Sequence, residues 1–162
     1  MLPNLNRYTH YAEPNYDRLS PFIAAVDALE DRCFIFHAQG FEPLSLEYLH
    51  YSWQNLPVYG MMHYYTQNGD VMRDPDMSFA VDHAARKIIP LTFQQDGVPS
   101  EYGTIYQRVF PEPGKYCPKL LKDLDYFLAQ WTCNIIDQGF TPDESQPAMT
   151  LEEFTEKHSK SS

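Results

Sequence analysis

Apolar and polar residues alternate along this chain with two different periods, and the changes of period divide it. Ser20 and Pro21 read as a helix start, because Ser can cap free amides and Pro fits a first turn, where its missing N–H costs nothing. Phe22, Ile23, Val26 and Leu29 follow on one helical face, and Tyr16 and Leu19 extend that face backwards. The period then shortens to two. Cys33-Phe34-Ile35-Phe36 is strand-forming and ends near Gly40, and Leu44, Leu46 and Tyr48 alternate with Ser45, Glu47 and Leu49. Residues 58–65 form the next strand-like run. Met77, Phe79 and Val81 then alternate with Ser78, Ala80 and Asp82, and residues 88–93 and 104–110 close the series. Asn68-Gly69 and Asp96-Gly97 are tight-turn pairs, and Pro90 marks an edge or a bulge.

Helical spacing returns with Leu120, Leu121, Leu124, Phe127, Leu128, Trp131 and Ile135, while Lys122, Asp123, Asp125 and Gln130 take the other side. Pro118 precedes this helix, and Gly139 sits where a C-terminal cap belongs. Short strands joined by short turns leave no room for parallel crossover helices. The expected fold is therefore α+β: an antiparallel sheet of about five strands in a meander, with an N-terminal helix and a long C-terminal helix packed on it. Residues 1–15 read as an N-terminal arm and residues 16–140 as a single α+β domain. Residues 141–162 read as an acidic, partly disordered tail, in which Thr150 and Glu153 could box the start of a short helix through Phe154.

Composition narrows the function classes. Aromatics make up 15 % of the 162 residues, with 12 Tyr and 10 Phe, and side chains that large can offset the entropy lost on ordering. Twelve basic against 22 acidic residues give a formal charge of −10. Such a surface repels nucleic acid and anionic membrane, since phosphate binding needs clustered Lys and Arg; it suits a basic protein partner. Three cysteines without CxxC spacing argue against a zinc site or a disulfide framework. With no signal peptide and no run of 18 apolar residues, the chain reads as cytoplasmic.

The densest polar stretch is Gln67-Asn68-Gly69-Asp70-Val71-Met72-Arg73-Asp74-Pro75-Asp76. It reads first as a solvated hairpin loop, and Gln67, Asn68, Asp70, Arg73, Asp74 and Asp76 are the candidate binding residues. Three carboxylates within seven residues could also ligate Mg²⁺ or Ca²⁺, although the spacing is not that of an EF-hand. None of the six histidines forms HxH or HExxH. His37 and His63 fall in strand-like runs and could share a face, where Asp70 or Asp74 would complete an acid–base pair. Cys33 and Cys117 lack a Cys–His signature, and no phosphate loop is present. Tyr59, Tyr64, Tyr65, Tyr102 and Tyr106 fall on the strands, as core or as a binding face. No catalytic residue, metal site or cofactor follows from these motifs.

The run HYYTQNGDVMRDPDMSF (residues 63–79), followed by PLTFQQDG (residues 90–97) and PKLLKDLDYFLAQWTCNIIDQGF (residues 118–140), resembles a family of small uncharacterised proteins. That family is encoded largely on conjugative elements, plasmids and prophages and is known as a domain of unknown function. The resemblance spans residues 58–140 and implies a mobile-element accessory protein; it brings no catalytic residues. The expected function is accordingly non-enzymatic: a binding protein acting on a host or element protein, with inhibition of a defence or nucleic-acid-binding protein as one form of that action. The alternatives are a metal-dependent hydrolase or nuclease built on Asp70, Asp74 and Asp76 with His63, and a subunit that assembles only with itself.

Overall fold

The computed structural model describes residues 4–96 and 104–146. A turn of 3-10 helix at Leu5–Arg7 leads into helix α1, Ala12–Asp27. Six strands follow: β1 Cys33–Phe36, β2 Leu44–Trp53, β3 Leu56–Gln67, β4 Asp70–Asp82, β5 Lys87–Asp96 and β6 Thr104–Arg108. Helix α2, Pro118–Asp137, comes next, and a two-residue strand β7, Ser145–Gln146, ends the described chain. The sheet order is β6-β5-β4-β3-β2-β1-β7. Six strands thus form an antiparallel meander, one more than the sequence pattern suggests, and β7 adds to the β1 edge. The extra tight-turn pair at residue 97, Tyr102 and the Thr150–Glu153 box lie outside the described residues.

Both helices pack on one face of the sheet. Direct cross-strand partners put Phe34, Leu46, Met61, Met77 and Phe93 in one row of that face. Leu19, Phe22, Ile23 and Val26 of α1 and Leu121, Leu124, Leu128, Trp131 and Ile135 of α2 close over it in a single buried cluster. Each large side chain so buried stabilises the fold by about 1.5–3 kcal/mol before entropy is counted. The C-terminus of α2 is closed by Gly139, whose φ of +96° suits glycine: its N–H donates to the Ile136 carbonyl, and the Phe140 N–H to that of Ile135.

Two expectations about the helices change. Helix α1 starts at Ala12, so Ser20-Pro21 lies inside it. Its first turns are held by polar contacts: the Tyr11 N–H donates to Asp125 Oδ2 (3.0 Å), and Asn15 Nδ2 to the Asp125 carbonyl (3.3 Å). Asp125 therefore does not take the solvent side of α2. It is 1 % exposed and caps the neighbouring helix, where the N-terminal dipole favours a negative charge.

Candidate functional site

The polar stretch expected to be a loop is the outer half of a long hairpin. Asn68 and Gly69 form its two-residue turn, with φ of +54° and +84°, the pairing that matches strand twist. Gln67 ends β3, and Asp70, Arg73, Asp74 and Asp76 all belong to β4. The candidates are thus spread along an extended strand and do not converge around one point. A register shift opposite Met62 and Tyr64 breaks the alternation, so Tyr64 pairs with Arg73 while Met62 pairs with Asp76. Arg73 and Asp76, three residues apart, consequently stand on the same face.

That face is the one without helices. Its apolar clusters gather Ile35 with Tyr64 and Met62, and Val58, Ala80 and Leu91 under Leu49, Trp53, Leu56 and Phe110. Leu49 lies over Gly60, where an added Cβ would stand 3.2 Å from its Cδ2, so glycine makes the close approach possible. Between these clusters runs a polar band. Cys33, Glu47, Gly60, Ser78 and Thr92 form one cross-strand row, and Ile35, Ser45, Met62, Asp76 and Gln94 the next.

Burial sets the chemistry of this band. It raises the Glu47 carboxyl above its ordinary range. It pushes Asp76 up to about 6, with Arg73 pulling the other way and Glu47 and Asp96 adding to the rise. The Cys33 thiol is pushed up to about 11 by burial and then by Glu47, which leaves it a poor nucleophile. Tyr64 is likewise raised to about 12 by burial, although its bond with Ser45 works against the rise.

Arg73, the cation of the stretch, is engaged by Asp96: its Nε donates to Oδ2 at 3.0 Å and its backbone N–H to the same oxygen at 3.1 Å. Asp74 accepts from Gln95 Nε2 at 2.7 Å, and Asp70 is exposed beside the turn. The ion pairs among the described residues are Arg32–Asp27, Arg73–Asp96, Arg86–Asp17 and Lys115–Glu112. None neutralises Asp70, Asp74 or Asp76.

His63 points to the helix-covered side, as the partner of Leu44, and lies against Trp131 and Phe140 at ring distances of 5.6 and 5.8 Å. Its Nδ1 meets the Pro43 carbonyl at 3.3 Å, and burial lowers its pKa, which favours the neutral ring. His37 falls beyond the end of β1, outside the strand expected to carry it. Of the tyrosines, Tyr59 is core, and Tyr64 is buried on the opposite face. Tyr106 is 57 % exposed. The Tyr59 hydroxyl donates to Asp27 and accepts from Arg32, whose guanidinium stacks 3.8 Å over Tyr48. This network joins α1, β2 and β3 across long sequence separations, and no local motif announces it.

Among the described residues, no three His, Cys, Asp or Glu side chains gather as metal ligands would. No helix among the described residues is long and apolar enough to cross a membrane. Fold and site together define an α+β protein with one sheet, helices on a single face and, along an outer hairpin arm, carboxylates outside every ion pair among the described residues. Residues 22–141 match the family model described as Domain of unknown function (DUF6908), and the chain belongs to that family. No curated protein and no solved structure matches it.

Proposed function

We propose that this chain is a non-enzymatic accessory binding protein of a mobile genetic element that engages a basic protein through the outer arm of the β3–β4 hairpin. The observation that carries this reading is the set of carboxylates on that arm that, among the described residues, stand outside every ion pair: Asp70 exposed, Asp74 accepting from the neutral amide of Gln95, and Asp76 beside an Arg73 that is held by Asp96. Basic side chains offered by a partner would find acceptors there. The formal charge of −10 adds long-range attraction toward a positive surface, which raises association rates and selects against acidic partners. A host nucleic-acid-binding protein has such a surface, and occupying it would block its nucleic-acid site.

Binding of this kind weakens steeply with salt, because the charges involved lie within screening distance of solvent. Affinity capture from host lysate at low and high salt, read by mass spectrometry, tests the reading. One abundant basic protein, retained at low salt and released at high salt, is the expected result. Capture of an acidic protein, or of one indifferent to salt, would overturn it.

A further inference from the structure

On the opposite side of the sheet from the polar band, α1, α2, His63 of β3 and Pro75 of β4 line an open hollow of about 820 Å³. We propose that this hollow binds a small flat aromatic ring carrying one anionic group, a reading that does not rest on the partner proposed above. Its volume falls within the range of about 300–1,000 Å³ usual for small-molecule sites. Tyr11, His63, Phe127 and Trp131 supply ring surfaces, and among the described residues no Asp or Glu lines it.

The charge in the hollow belongs to Arg18. Arg18 Nε donates to Thr132 Oγ1 at 2.8 Å and Nη2 to Asn15 Oδ1 at 3.1 Å. Both acceptors are neutral and fully buried, so they orient the guanidinium without offsetting its charge. Arg32, Arg73 and Arg86 each pair with an aspartate instead. Trp131, 5 % exposed, offers ring surface to the hollow. His63 contributes a further aromatic surface. A planar anion would give Arg18 its counter-charge and rest its ring on Trp131 and Phe127.

The test uses the full chain with Trp53→Phe, so that Trp131 is the sole tryptophan, and two probes with the same rings: 1-anilinonaphthalene-8-sulfonate and the uncharged N-phenyl-1-naphthylamine. The sulfonate is expected to quench Trp131 emission with one-to-one saturation. Arg18→Gln should weaken it by about 10-fold or more while leaving the uncharged probe within about 2-fold, since a charged hydrogen bond is removed. Arg18 also ties α1 to α2, so Gln130→Glu, exposed on α2 at the rim, provides a second arm. It adds a negative charge without disturbing that seam, and should weaken the sulfonate more than the uncharged probe. A sulfonate affinity unchanged by both substitutions, or a saturated complex with unaltered Trp131 emission, would overturn the proposal.

Discussion

The two faces of the sheet are built from the same strands in the same register, and they are stabilised in opposite ways. Under the helices, the row Phe34, Leu46, Met61, Met77 and Phe93 gains by leaving water. One residue along, the row Cys33, Glu47, Gly60, Ser78 and Thr92 is half-buried and polar, and burial there works against the charged forms of Glu47 and Asp76. Folding therefore rests on the first face and tolerates the second. A face that is tolerated for its chemistry, and continues into the unneutralised carboxylates of the β3–β4 arm, is where recognition is to be sought.

The largest effect should come from breaking the covered face. Leu124→Asp puts a charge into the seam between α2 and the sheet and should cost more than about 4 kcal/mol, enough to abolish the cooperative melt seen by circular dichroism. On the polar face the sign reverses. Asp76 titrates near 6 when folded and near 3.9 when unfolded, so its contribution is full below about pH 4 and is lost as pH rises through 6. Asp76→Asn removes that loss. Its melting temperature relative to the parent should rise between pH 4 and pH 7 by about 6–12 °C, equivalent to about 3 kcal/mol. A parent and variant with parallel pH profiles would show that burial at Asp76 carries no energetic weight.

Smaller effects mark the margins of the comparison. Tyr59→Phe keeps the buried ring but removes the hydroxyl that joins Asp27 to Arg32, and should cost about 1 kcal/mol in urea denaturation. Lys115→Ala breaks an exposed pair with Glu112 that belongs to neither face, and should change stability by less than about 0.5 kcal/mol.

Where apolar spacing carries the structure, it could be read from the sequence. The α2 stripe, the Gly139 cap, the Asn68-Gly69 turn and the meander all follow from periodicity and turn chemistry. Pro90 was legible as a break, and it faces a register shift at Ser78 and Phe79. The start of α1 was hidden because Asn15, buried without apolar character, interrupts the stripe of Ala12, Leu19 and Phe22, and the capping carboxylate comes from Asp125 on another helix. The candidate segment looked like a loop because its composition is polar. It is a strand because the face it lines accepts polar side chains, a property of the whole sheet that no window of ten residues contains. The hollow around Arg18 was equally out of reach, since its residues come from four separate elements.

The central claim is that the carboxylates of the outer hairpin arm serve binding. Its most direct test compares capture by the parent chain and by Asp70→Asn/Asp74→Asn/Asp76→Asn from the same lysate at low salt, after circular dichroism has shown equal folding. The account predicts that the basic partner held by the parent is lost by the triple variant, to about the same extent as raising salt releases it. The same partner retained by the variant would contradict the account and move the binding surface away from this arm.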